Sequence, residues 1–174
     1  MTTTHHTQDT NQPRRLGIDI GRVIIDGSSH PQGGDTAFFQ GDEATMLATP
    51  EMPGAIDAIT RLVEQFDGQA WLVSKCGERV QHRSLRWLAN RDFFGRTGIP
   101  EANTRFCKKR PEKRIHAVDL GLTHFIDDKL DVHEAIEDVV EHRFLFGPQR
   151  RPAPDFVTHV VDWQATERAV LLTL

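Results

Sequence analysis

Short uninterrupted apolar runs alternate along the chain with longer stretches whose apolar residues recur at helical spacing. Leu16–Ile20, set between Pro13-Arg14-Arg15 and Gly21, predicts a buried parallel strand with Asp19 near its end. Pro53–Phe66 places Ile56, Ile59, Leu62, Val63 and Phe66 on one face and predicts a helix opened by proline. Gln69–Ser74 is a second apolar run, stopped at a hydroxyl residue, and Glu78–Asn90 predicts the next helix. Thr104–Cys107 predicts a weaker third strand, and Pro111–Leu120 a helix ended by Gly121. His124–Ile126 predicts a fourth strand, halted by Asp127 and Asp128, followed by a helix over Val132–Val139. His142–Phe146 predicts a fifth strand ended by Gly147-Pro148, and Thr158–Val161 an edge strand before a closing helix over Trp163–Leu172.

This alternation predicts an α/β fold, a three-layer Rossmann-like parallel sheet with helices on both faces, and no internal repeat is evident. Asp26–Glu51 breaks the rhythm with Gly, Ser, Pro, Gln and Asp around Phe38-Phe39, and predicts a long loop or small flap. Being shorter than the roughly 40 residues below which a unit seldom folds unaided, it argues against a full cap domain. The expected organisation is a flexible tail over residues 1–13 and one domain over 14–174.

The 174 residues are 38% apolar and 26% charged, the balance of a globular chain, and no apolar run is long enough to span a bilayer. The polar start, MTTTHHTQDTNQPRR, lacks the apolar core of a signal peptide; with two widely spaced cysteines, Cys76 and Cys107, a reduced cytoplasmic protein without a membrane partner is expected. His5 and His6 in that tail read as solvated. A formal net charge of −4 gives no general attraction to nucleic acid, although the run Lys108–Arg114 is basic enough to attract a polyanionic phosphate substrate.

In open parallel sheets the functional crevice lies at the carboxyl ends of the strands. The residues ending the expected strands are Asp19, Ser74, and Asp127 with Asp128, while Asp131 can point back from the first turn of the following helix. Converging carboxylates repel one another unless a cation joins them, so this set points to metal-assisted phosphoryl transfer. Taken singly, Asp19 reads as a turn cap and Ser74 or Asp127-Asp128 as helix caps; in this order, each at a strand end, they read as a site. Cys76 reads as a packed small residue.

The sequence resembles the haloacid dehalogenase-like hydrolase superfamily, most of whose members are Mg2+-dependent phosphatases. Asp19-Ile-Gly-Arg-Val23 matches the Asp-x-Gly-x-Val form of the first motif, Trp71-Leu-Val-Ser74 the second, and Phe125-Ile-Asp-Asp-Lys-Leu-Asp131 the fourth. The third motif, a lone lysine, falls on Lys113, with Lys108 as runner-up and Lys109 behind it.

The resemblance implies Asp19 as a nucleophile forming an aspartyl-phosphate, with Ser74 and Lys113 holding phosphoryl oxygens beside the Gly21-Arg22 turn. It implies Mg2+ held by Asp19, the Gly21 carbonyl and Asp127, with Asp128 or Asp131 acting directly or through water. It also implies a phosphorylated substrate. Capless members have open sites suited to large substrates, a phosphorylated nucleic-acid end among them, or to closure by a second copy; Phe38 and Phe39 are suited to flap packing or to an oligomer contact.

One position departs from the pattern. Where most members carry an aspartate that protonates the leaving group, this chain has Gly21, and such help is commonly worth about 100- to 10,000-fold. Asp26 and His30 are the nearby candidates to replace it, and a non-catalytic relative that binds phosphorylated ligands or a protein is the alternative. LGIDIG is also similar to the first phosphate-binding segment of actin-like sugar kinases, but the second glycine-rich phosphate loop those need is not in the sequence.

Overall fold

The structure is a computed structural model that describes residues 13–174. His5, His6 and the expected tail up to residue 12 lie outside the described residues.

Six parallel strands form one sheet: β1 (Leu16–Ile18), β2 (Ala70–Lys75), β3 (Thr104–Cys107), β4 (His124–Asp127), β5 (His142–Phe146) and β6 (Thr158–Val160). Their spatial order is β3-β2-β1-β4-β5-β6. The chain builds outward from β1 through β2 to β3, then returns to place β4 on the other side of β1. The order therefore reverses between β1 and β4, where a crevice opens at the strand ends because successive connections depart in opposite directions. Ile18 is level with both Leu72 and Ile126, which brings Asp19 level with Asp127.

Strand alternation sends side chains to two separate cores. Leu16, Ile18, Leu72, Ile126 and Phe144 pack on one face against α3 (Ala55–Gln65), α4 (Glu78–Asn90), α5 (Phe93–Thr97) and α8 (Trp163–Leu171). Val73 and Phe125 pack on the other against Ala117 of α6 (Lys113–Leu120) and Val132 of α7 (Leu130–Ala135). Gly17 is required by this second face, since a Cβ there would sit 2.6 Å from both the Leu122 side chain and the Phe125 ring.

Most expected elements fall within two residues of their places, and the differences have local causes. The first strand stops at Ile18 rather than Ile20, because Ile24 and Ile25 turn back to donate to the Ile20 carbonyl. The helix expected over Val132–Val139 runs instead over Leu130–Ala135, unwinding into turns whose Val139 and Val140 amides still bond to Ile136. The Asp26–Glu51 flap contains two short helices, α1 (Asp35–Gln40) and α2 (Glu43–Leu47). Arg83 of α4 donates to the carbonyls of Phe38 and Gly41, which ties the flap to the body. Trp87 adds a bond from Nε1 to the Thr49 carbonyl at 2.8 Å. Among the described residues no helix is long and apolar enough to cross a membrane.

Candidate active site

Asp19 lies just past β1, fixed by its amide's bond to the Ile126 carbonyl of β4 at 2.9 Å. Asp127 closes β4 and is fully buried. Between them stands Lys113, whose Nζ lies 2.8 Å from Asp19 Oδ1 and 2.6 Å from Asp127 Oδ2. Lys113 is only 2% exposed, an extreme burial for an ammonium, made tolerable by the two carboxylates. It opens α6 directly after a 3-10 turn at Arg110–Glu112, where the Glu112 carboxylate accepts from the Lys108 and Lys109 amides. That local capping leaves Lys108 and Lys109 exposed and turns Lys113 inward, so of the three lysines Lys113 alone reaches the strand ends.

Carboxylate oxygens of Asp19, Asp127 and Asp128 lie within 4.8 Å of one another, the one such acidic grouping among the described residues. Burial raises the Asp127 carboxyl to about 7; the Lys113 charge works against that rise, and Asp19 and Asp128 add to it. Burial likewise raises Asp128, against the pull of the Lys129 ammonium 2.8 Å away. For Lys113 burial opposes the charge, yet Asp127 and Asp19 outweigh it and hold the ammonium above lysine's ordinary pKa. Three carboxylates thus share two ammonium groups, buried Lys113 and the partly exposed Lys129.

Does this set suit Mg2+? All the donors are hard oxygens, the class that ion selects. Asp19 Oδ1 is buried without a well-directed hydrogen bond, its contact with Lys113 being an ion pair. A divalent cation would partner that oxygen and join the three carboxylates, so the residues fit.

Asp131 does not join this group. Its carboxylate is half exposed and turns to Arg110 at 3.1 Å, because the first turn of α7 points it at the 3-10 turn preceding α6 rather than at the strand ends.

Above the acidic cluster opens a cleft of about 480 Å3, lined by Asp19, Gly21, Ser74, Lys113 and Asp128 with Phe38 and Phe39 on the flap side. Ser74 is buried in its wall near the end of β2. Phe38 is buried and Phe39 is 43% exposed, their rings packed edge to face at 5.6 Å. Arg22 lies on the rim and pairs with Asp35 of α1.

Neither expected substitute for the missing acid is free. The Asp26 carboxylate accepts from Ser28 Oγ at 2.7 Å and the Ser29 amide; burial would raise its pKa, but these bonds and Arg22 hold it below the ordinary value. His30 is buried in the flap, bonded through Nε2 to the Thr45 carbonyl at 2.7 Å, and its Nδ1 accepts from the Gln32 amide. Gly21 itself faces open space, with nothing within 4 Å of where a Cβ would stand.

Sequence reasoning missed His133. Buried in α7, it donates from Nε2 to the Asp127 carbonyl at 3.0 Å and braces the strand end from behind. Burial lowers its pKa to about 4, keeping it neutral. No spacing rule marks a histidine six residues past a strand end, because the contact depends on how α7 folds back. Cys76 lines the cleft, but burial, with Asp19 beside it, pushes its thiol up to about 11 and away from nucleophilic use.

No protein-family model matches the chain, and no curated protein matches it in sequence. The fold has a solved counterpart, a protein of Burkholderia xenovorans LB400 provisionally assigned as a haloacid dehalogenase-like hydrolase. The two share a TM-score of 0.58 at 13% sequence identity, over 90% of this chain and 96% of the other. At that identity the likeness establishes a haloacid dehalogenase-like fold and leaves the chemistry to the residues.

Proposed function

We propose that the chain is a Mg2+-dependent phosphatase in which Asp19 is the nucleophile. The observation that carries this reading is the buried Lys113 ammonium joining Asp19 and Asp127, at 2.8 and 2.6 Å, beneath an open cleft. An ion pair buried that deeply gives little stability for its cost; what it does provide is a carboxylate and an ammonium side by side where a phosphoryl group can meet them.

In this mechanism Asp19 attacks phosphorus in line, the phosphorus–oxygen bond to the leaving group breaks, and an aspartyl-phosphate forms that water hydrolyses. Lys113 pairs with Asp19 and, with the Ser74 hydroxyl, takes the phosphoryl oxygens. Asp19, Asp127, Asp128 and the Gly21 carbonyl would hold Mg2+, which supplies charge neutralisation for the phosphoryl group. The leaving group departs without a protein acid, so esters of low leaving-group pKa suit the site best.

A second reading, a protein that binds phosphorylated ligands without turning them over, is favoured by one observation: Asp26 and His30 are both engaged within the flap, leaving the Gly21 position without an acid. Assays of wild type, Asp19→Asn and Gly21→Asp with Mg2+ on aryl and alkyl phosphates separate the two. Turnover of aryl phosphates by wild type, abolished in Asp19→Asn, is the expected result. A silent wild type that gains activity in Gly21→Asp would establish the binding protein instead, and wild-type turnover surviving in Asp19→Asn would remove Asp19 as nucleophile.

A further inference from the structure

Beside the Asp19 cleft lies a second cavity of about 520 Å3, and the two share Arg22, Asp128 and Lys129 as a common wall. Its far side is the segment from Gly147 to Ala153 that leaves β5. That segment is braced. The Gly147 amide donates to the Val160 carbonyl at 2.8 Å, and His159 Nε2 bonds the Gly147 carbonyl at 2.7 Å. Gln149 reaches across to the carbonyls of Phe146 and Asp128, at 3.1 and 3.3 Å, while Pro148 and Pro152 restrict the backbone on either side.

Arg150 and Arg151 stand on this braced segment, both exposed, and among the described residues neither forms an ion pair. Arg22 and Lys129 line the same cavity, each already paired, with Asp35 and with Asp128, the one acidic residue of the lining, so its uncompensated charge is that of Arg150 and Arg151. Arg22 holds a left-handed backbone, φ 60°, where glycine would carry no steric penalty. Arg22 stands at the junction of the two cavities, paired with Asp35.

We propose that the second cavity is a phosphate subsite: the preferred substrate carries, on its leaving group, a second phosphate that Arg150 and Arg151 bind while the first lies over Asp19. Guanidinium groups match phosphate in geometry as well as charge. The inference rests on the phosphatase reading; the second phosphate positions the leaving group, while the proton an alkoxide leaving group takes up comes from solvent water, so alkyl esters turn over slowly and the subsite is read from the ratio between them.

The test compares adenosine 3′,5′-bisphosphate with the two adenosine monophosphates, using wild type and the double variant Arg150→Ala/Arg151→Ala, with p-nitrophenyl phosphate as a substrate lacking a second anion. Wild-type kcat/KM for the bisphosphate is expected to exceed that for either monophosphate by about tenfold or more. The advantage should vanish in the double variant while p-nitrophenyl phosphate turnover stays unchanged. A wild type without the preference, or a variant that keeps it, overturns the subsite.

Calorimetry of the bisphosphate with metal-free wild type and double variant needs no turnover. Binding about tenfold weaker in the variant supports the subsite even if p-nitrophenyl phosphate is not hydrolysed and the phosphatase reading fails; equal binding overturns it. A 5′-phosphorylated dinucleotide run in parallel identifies the source of the second phosphate. The larger Arg150/Arg151-dependent gain marks either a free phosphate or a nucleic-acid backbone.

Discussion

Replacing Lys113 by methionine removes the one buried cation of the acidic cluster while keeping the length and much of the volume of the side chain. At an effective dielectric of 20, each of its contacts at 2.8 and 2.6 Å corresponds to a gross attraction of about 6 kcal/mol. Against this stands a desolvation cost of several kcal/mol for each ion. The variant keeps the cost of burying Asp19 and Asp127 and loses the attraction, a situation that typically destabilises by about 3–5 kcal/mol.

The loss is pH-dependent, with a definite sign. The folded-state pKa of Asp127 is raised to about 7 even with Lys113 present, so without the cation it takes up a proton at still higher pH. Below that point the cluster sheds a charge and the defect shrinks. Urea unfolding in EDTA should therefore show Lys113→Met less stable than wild type by about 3–5 kcal/mol at pH 8 and by clearly less at pH 5.5. Adding Asp127→Asn, which mimics the protonated carboxyl, should remove most of the pH dependence of the loss. A variant as stable as wild type at pH 8, with no dependence on pH, would show that the ion pair is not electrostatically coupled as the geometry demands.

Other expectations follow from the same structure. Mg2+ at about ten times its dissociation constant should stabilise the protein by about 1.4 kcal/mol, raising Tm by about 3–6 °C for a chain of this size, and Asp127→Asn should erase the shift; a shift preserved in that variant would remove the cluster as the metal site. His124 is buried and neutral, its pKa lowered to about 3 by burial and then by His142 and Arg14. The unfolded chain therefore binds the extra proton first, and stability should fall as pH drops from about 6.5 toward 4, with up to about 1.4 kcal/mol per pH unit from this residue. Asp127 contributes an opposite slope from about 4 to 7, so the measurement is the difference between wild type and His124→Phe, whose acid sensitivity should be weaker. Trp87→Phe loses the bond to the Thr49 carbonyl, which still accepts from Arg91 Nη2 at 2.8 Å, so the cost in urea unfolding should be about 1–2 kcal/mol. A loss beyond that would mean that Arg91 does not satisfy the carbonyl alone.

The order of the elements and the residues that end them are legible along the chain. Apolar runs too short for helices, punctuated by glycine, proline and carboxylates, placed β2 through β5 within a residue of their observed bounds, and the face of α3 was readable from Ile56, Ile59, Leu62 and Val63. These patterns are legible because strand and helix periodicities are local consequences of backbone geometry. The strand-end residues Asp19, Ser74 and Asp127-Asp128 were legible for the same reason.

Which of those residues meet depends on how the elements pack. The reversal of strand order between β1 and β4 sets Asp19 against Asp127, and the Glu112 cap turns Lys113 rather than Lys108 into the gap. Asp131 fits the sequence pattern yet pairs with Arg110, while His133, invisible to the pattern, braces Asp127. The cavity lined by Arg22, Arg150 and Arg151 joins segments more than a hundred residues apart. Such meetings depend on side-chain directions and on helices folding back across the sheet, and periodicity along the chain carries neither.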